Sequence, residues 1–150
     1  MSFKLLSIII PTFNRSHGLS ILLDSIPSRL FPHLQIIVID DGSTDNTNRV
    51  ISKYQSSNYP IDYYYQENSG RHSALKTSLG YINSEYTMIF DSDDIFYPYG
   101  LDIVVDHLSS DSTQYDVYLF PMASSRPTSN RSTLPSDPIR PVELIVSSIC

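Results

Sequence analysis

Cysteine is all but missing from these 150 residues. The single one, Cys150, is the last residue, which excludes a disulfide framework and zinc-ligand spacing and predicts a reducing, cytoplasmic setting. Glutamate is scarce too, with 3 Glu against 13 Asp. Aspartate forms helix poorly and favours turns, caps and ligand positions, so the acidity of this chain belongs to loops more than to helix faces. No Lys/Arg run interrupts a net charge of −6, which argues against nucleic acid or an anionic membrane surface as the main partner. No apolar stretch reaches membrane-spanning length. Leu5 to Ile10 is too short for a secretory apolar region and runs into Pro11-Thr12-Phe13-Asn14 instead of a cleavage site. Internal repeats are absent.

What is present suffices for one core, since 41% of the residues are hydrophobic in a chain of ordinary domain size. Leu5 to Ile10 predicts a buried strand, short, β-branched and bounded by Pro11. Ser16 to Ile26 predicts a helix with Leu19, Leu22, Leu23 and Ile26 on one face and Pro27 behind it. Gln35 to Ile39 is the second strand. Capping residues Ser43-Thr44-Asp45 precede a helix through Val50, Ile51 and Tyr54. Ile61 to Tyr65 reads as a third strand, Arg71 to Ile82 as a helix, Tyr86 to Phe90 as a strand, Gly100 to Leu108 as a helix and Val117 to Phe120 as a fifth strand. This alternation predicts an α/β, doubly wound, mainly parallel sheet flanked by helices. It fills a domain over 1–122. The Ser-, Pro- and Arg-rich stretch 123–141 predicts a loop or linker. Residues 142–150 start an apolar element that the chain leaves unfinished, as a piece of a longer protein would.

In such sheets ligands bind outside the carboxyl ends of the strands, and two acidic loops fall there. Asp40-Asp41-Gly42-Ser43 follows the second strand. Asp91-Ser92-Asp93-Asp94 follows the fourth. Three carboxylates within four residues repel one another and call for a cation, with Mg²⁺ or Mn²⁺ as the leading candidate. On extended chain Asp91 and Asp93 point the same way, so they can converge on a metal that bridges to a pyrophosphate; the plain alternative is a solvated acidic turn. Asp40 can accept a hydrogen bond from an imide N–H such as N3 of uracil, or serve as a turn aspartate. Pro11-Thr12-Phe13-Asn14-Arg15 can present backbone to a planar base, or be an ordinary strand-to-helix turn. Asn68-Ser69-Gly70-Arg71-His72 opens a helix whose amides favour anions. There Arg71 can pair with phosphate, and His72 can contact a ligand or cap the helix. Lys76 and Tyr63-Tyr64-Tyr65 read as solvated and strand side chains.

Taken in order, Ser7-Ile8-Ile9-Ile10-Pro11-Thr12-Phe13-Asn14-Arg15, Ile39-Asp40-Asp41-Gly42-Ser43-Thr44-Asp45 and Asp91-Ser92-Asp93-Asp94 resemble the donor-binding half of glycosyltransferase family 2. Gln66-Glu67-Asn68-Ser69-Gly70-Arg71-His72 resembles the variant reading Gln-Glu-Asn-Gly-Gly-Lys-His, with departures at Ser69, Arg71 and Lys76. The resemblance covers residues 5 to about 105. It implies the GT-A (Rossmann-like) fold, a nucleotide-sugar donor, most simply a UDP-sugar, and a carbohydrate or lipid-linked acceptor. It further implies metal-assisted, inverting transfer in polysaccharide biosynthesis, at the inner face of a membrane that segments outside this chain would contact. The implied nucleotide-binding residues are Pro11, Thr12, Phe13, Asn14, Asp40, Arg71, Asp91 and Ser92, and the implied metal ligands are Asp91, Asp93 and Asp94. No general base is assigned, for Asp137 and Glu143 match no motif. Two alternatives remain at this point: a non-catalytic donor-binding module, and a phosphatase of the haloacid dehalogenase type built on Asp91 and Asp93.

Overall fold

In a computed structural model, residues 4–110 are described in full, and 117–121 and 143–148 as strands. The stretch expected to be a linker, with Asp137 in it, lies outside the described residues. The elements run β1 (Lys4–Thr12), α1 (Ser16–Asp24), a 3₁₀ turn (Ser28–Leu30), β2 (Leu34–Asp41), α2 (Thr47–Ser56), β3 (Ile61–Gln66) and α3 (Arg71–Ser78). A second 3₁₀ turn (Leu79–Tyr81), β4 (Ser84–Ile89), α4 (Gly100–Ser110), β5 (Val117–Pro121) and β6 (Glu143–Ser148) follow. None of the described helices is long and apolar enough to cross a membrane.

One six-stranded sheet has the order β3-β2-β1-β4-β6-β5. Strands β1, β2, β3 and β4 pair in parallel, as the alternating pattern predicts. The fifth predicted strand exists but does not touch β4. Strand β6 lies between them, antiparallel to both. The apolar element expected from residue 142 is therefore a strand inside this sheet.

Both faces of the parallel strands are buried, and side-chain alternation sorts them. Leu6, Ile8, Ile10, Ile36 and Val38 join the larger core with Leu19, Leu22 and Leu23 of α1, Ile51 and Tyr54 of α2 and Leu101, Val104 and Val105 of α4. Ile9, Ile37 and Ile39 face the other way, against Ala74 of α3. That parity decides the orientation of the two aspartates at the end of β2.

Helix boundaries differ from expectation at their ends. The helix predicted to reach Ile82 is α-helical only to Ser78 and tightens into the 3₁₀ turn, a common way of ending a helix. Helix α1 stops at Asp24, where the Ser25 N–H bonds back to the carbonyls of Ile21 and Leu22. Of the three candidate caps before α2, Asp45 does the work. Its Oδ1 accepts from Thr47 N at 3.0 Å and Thr47 Oγ1 at 2.5 Å, and its Oδ2 accepts from Ser16 N at 3.0 Å. One carboxylate thus serves two helix starts. Burial works against its ionisation, but these hydrogen bonds outweigh that and hold its pKa at about 2, below the ordinary 3.8. A depressed carboxylate stabilises the fold above its unfolded pKa and loses that contribution as pH falls through the folded one. Asp45→Ala is therefore expected to cost about 1 kcal/mol at neutral pH, the usual value of a cap. In thermal melts the gap from the native chain should close as pH drops from 3.8 toward 2.

Candidate functional site

The carboxyl ends of β1, β2 and β4 lie side by side, with Thr12 opposite Asp40 in register and Phe90 N bonded to Ile9 O. Over them opens a cavity of about 260 Å³, lined by Pro11, Thr12, Phe13 and Arg15 after β1 and Asp41 at the end of β2. Arg71 and Ala74 of α3 and Asp91, Ser92 and Asp93 after β4 complete the wall. All four candidate segments of the sequence thus contribute to one cavity wall.

At the β1 end the cavity offers a half-exposed ring and an unused hydroxyl. Phe13 is 45% exposed. Thr12 is only 3% exposed, yet its Oγ1 has no hydrogen-bond partner among the described residues. Buried hydroxyls are normally satisfied, and among the described residues Thr87 Oγ1 is the other one without a partner.

The two β2 aspartates part company. Asp40 is 1% exposed and turns toward the α2 face, where Oδ1 accepts from Ser43 N (2.8 Å) and Oδ2 from the Tyr63 hydroxyl (2.7 Å). Burial, and then this bond to a carboxylate, raise the Tyr63 pKa, keeping it a neutral donor. Asp40 is not among the residues lining the cavity, and its neighbour Asp41 is. Asp41, on the α3 side, accepts from Gln66 Nε2 (2.7 Å) and Ser69 N (2.9 Å) on Oδ1 and from Gly70 N (2.8 Å) on Oδ2. It clamps the loop that opens α3. Gly42 allows the approach: its φ is +83°, and a Cβ there would stand 2.8 Å from Asn68 N.

Asn14 is bonded to the β2 exit. Its Oδ1 accepts from Thr44 N at 2.8 Å, and its own N–H donates to Ser43 Oγ at 2.8 Å. It joins the β1 and β2 exits and stays off the cavity wall. Ser43 accepts from Asn14 N on its hydroxyl and donates to Asp40 from its backbone N–H, so Asn14, Ser43, Asp40 and Tyr63 form one connected support beneath the site.

The acidic segment turns back on itself, with Asp94 N donating to Asp91 O at 3.1 Å. Helix α1 packs so closely that a Cβ on Gly18 would stand 2.8 Å from Ser92 O, which holds the turn against the β1 exit. Asp91 and Asp93 reach the cavity and Asp94 does not. Burial, then the charges of Asp93 and Asp91, raise the Asp94 pKa. Asp91 pairs with Arg71 at 2.6 Å and Asp93 with Arg15 at 3.6 Å. Among the described residues no group of three or more His, Cys, Asp or Glu is gathered to hold a metal; Asp91 and Asp93, whose alternation predicts convergence, share one cavity wall. Two oxygen-donor side chains still fit Mg²⁺ or Mn²⁺, which commonly take one or two protein carboxylates and complete their shell with phosphate and water.

Arg15, Asp41 and Ala74 line the cavity without having been singled out as ligands. The signal for Asp41 was the alternation that places Ile37 and Ile39 on the α3 side. For Arg15 the only sequence signal was its place in the first strand exit.

A family model described as "Glycosyl transferase family 2" matches residues 7–143. An uncharacterised glycosyltransferase of Rickettsia conorii is 36% identical over 107 residues, covering 70% of this chain and 17% of that protein. The chain spans less than half the length of the curated relatives it matches. Among solved structures, S. aureus TarS residues 1–349 in complex with UDP-GlcNAc has a TM-score of 0.68 at 24% identity, covering 88% of this chain and 37% of that one. The mannosyltransferase PcManGT from Pyrobaculum calidifontis, in complex with GDP-Man and Mn²⁺, has a TM-score of 0.64 at 22% identity, covering 75% and 34%. At such identities these likenesses show the fold, which is GT-A.

Proposed function

The chain belongs to glycosyl transferase family 2, and we propose that its cavity binds the nucleotide part of a nucleotide-sugar donor, a UDP-sugar, for transfer to a saccharide or lipid-linked acceptor. The observation that carries this reading is the cavity's mixed lining: an exposed aromatic ring and a threonine whose hydroxyl is unpartnered among the described residues, together with carboxylates and guanidinium groups. A nucleoside diphosphate calls for the same combination, a surface for a flat base and charge for its phosphates.

In this reading Phe13 stacks on the base, and Thr12 Oγ1 supplies the hydrogen bond it has not spent within the protein. Asp41 stands where it can accept the imide N–H of uracil. A carboxylate has about four lone-pair positions, and three are taken by Gln66, Ser69 and Gly70. The fixed N–H donors keep the remaining position aimed. Arg15 and Arg71 lie beside the diphosphate, and Asp91 and Asp93 are the residues that would hold Mg²⁺ or Mn²⁺. A divalent cation bound there neutralises charge on the nucleoside diphosphate as it leaves. The acceptor hydroxyl attacks the anomeric carbon in line and with inversion. The carboxylate that takes its proton must lie within hydrogen-bond reach, and no described residue is assigned that role. The site works at a cytoplasmic membrane face in this proposal. Family membership removes the phosphatase alternative.

Calorimetric titration in Mn²⁺ with two probes tests the assignment. Thr12→Val and Phe13→Ala are expected to weaken UDP by about fivefold or more, corresponding to about 1 kcal/mol of stacking or hydrogen bonding, and to leave inorganic pyrophosphate unchanged. Equal weakening of both probes, or of neither, contradicts the proposed direction of the nucleotide in the cavity.

A further inference from the structure

The two cavity carboxylates that would meet a cation are already next to one, and the two contacts are of a particular kind. Arg71 donates from Nε at 3.2 Å and Nη2 at 2.6 Å, and both bonds fall on Oδ1 of Asp91, leaving Oδ2 outside the pair. Arg15 Nη2 stands 3.6 Å from Asp93 Oδ2, a charge contact beyond hydrogen-bond length. Arg29 and Asp102 show the contrast. There the guanidinium fork meets both carboxylate oxygens, at 2.8 and 2.6 Å, against an aspartate side chain only 19% exposed. Two parallel bonds of that form make a fixed bridge. The cavity pairs are looser, and their aspartate side chains are about half exposed, Asp91 at 47% and Asp93 at 57%. Exposed pairs of this type contribute about 1 kcal/mol or less, so their partners can be exchanged at little cost.

Charge sets what exchange is favourable. The wall carries the carboxylates of Asp41, Asp91 and Asp93 against the guanidinium groups of Arg15 and Arg71. A divalent cation arriving by itself must displace two arginines from their carboxylates and then sit beside them, so that their repulsion offsets part of the carboxylates' attraction. A cation arriving with a diphosphate meets a different balance, because the phosphate oxygens take over the arginines as the carboxylates take the metal.

We propose that Arg15 and Arg71 are resident counterions of the donor site: they hold Asp93 and Asp91 when no nucleotide is bound and pass to the diphosphate when it enters with its metal. Metal and nucleoside diphosphate then bind tightly only together, and a cellular divalent cation does not occupy the acidic turn ahead of the donor. The inference rests on the donor-site reading above and adds to it a role for Arg15 and an order to the binding.

The test is Mn²⁺ titration followed by electron paramagnetic resonance of the free ion, on the native chain, Arg15→Gln, Arg71→Gln and the double variant, each with and without UDP. Without nucleotide, each arginine removed is expected to tighten Mn²⁺ binding by about two- to fivefold, the worth of an exposed ion pair. With Mn²⁺ present, UDP binding should weaken by a similar factor. Arg15→Lys and Arg71→Lys, which keep the charge, should stay near the native Mn²⁺ affinity. A native chain that binds UDP only with Mn²⁺, but whose Gln variants bind Mn²⁺ alone no more tightly, overturns the counterion role and leaves the donor site standing. A folded native chain that binds no UDP with or without Mn²⁺ overturns the donor site, and the counterion role with it.

Discussion

Asp93→Asn is expected to weaken UDP binding in Mn²⁺ by at least about tenfold, a loss of about 1.4 kcal/mol, and not to weaken it in EDTA. The substitution keeps the shape of the side chain and removes its charge, so the effect falls on the cation. Asp93 lies on the cavity wall, and its side chain is 57% exposed with Arg15 as a loose partner. Losing that contact should move global stability by no more than about 0.5 kcal/mol. Calorimetry for binding and urea denaturation for stability separate the two. Asp94→Asn is the matched control: it changes the same turn by the same chemistry, but Asp94 is off the wall, and its UDP affinity should stay within about twofold of native, as a screened charge at one remove predicts. Equal losses at both positions would mean that the acidic turn acts as a diffuse charge and that Asp93 is no ligand.

Asp41→Asn is expected to be the most damaging of the site substitutions, costing about 2 kcal/mol of stability as well as donor binding. Two of its three partners, Ser69 N and Gly70 N, are backbone donors that cannot reverse, and only the Gln66 amide can, by flipping. An amide can accept on its oxygen, but its NH₂ then faces a donor, and hydrogen bonds to a charged group are worth about 1.5–3 kcal/mol each. The loop held by Asp41 also opens α3, where Arg71 is the first residue, so the loss reaches the phosphate end of the cavity. Asp40→Asn, one residue away and equally buried, should be far milder. Its oxygen can keep the bond from Ser43 N, and the Tyr63 hydroxyl can turn and accept from the new NH₂. Urea midpoints at constant slope measure the difference, and similar losses for the two variants would contradict the division of labour between them.

Much of this arrangement is legible in the residues, for identifiable reasons. The Ile8-Ile9-Ile10 and Ile36-Ile37-Val38-Ile39 runs are apolar on both faces because helices cover both sides, and such runs declare buried parallel strands. The acidic turn is legible because carboxylates so close together need a cation. Pairing order is not legible in the same way. Strand β6 enters between β4 and β5, contacts that no local pattern encodes. The choice between Asp40 and Asp41 was open for a subtler reason: adjacent residues on a strand face opposite ways, and the binding face is known only once α3 is seen to pack against Ile37 and Ile39. Asn14 has the composition of a ligand and the geometry of a brace, because its φ of +51° turns its amide toward the β2 exit. The ion pairs of Arg15 and Arg71 link residues 78 and 20 positions apart, separations at which charge pairing cannot be read from spacing.

The most direct measurement is calorimetric titration of UDP into the purified, demonstrably folded chain, first with Mn²⁺ and then with EDTA. Saturable binding in Mn²⁺ that falls by at least about tenfold in EDTA, as expected where carboxylates repel an unaccompanied diphosphate, is the predicted result. UDP binding of equal strength in both conditions, or none in either, would contradict a metal-assisted nucleotide site at the ends of β1, β2 and β4.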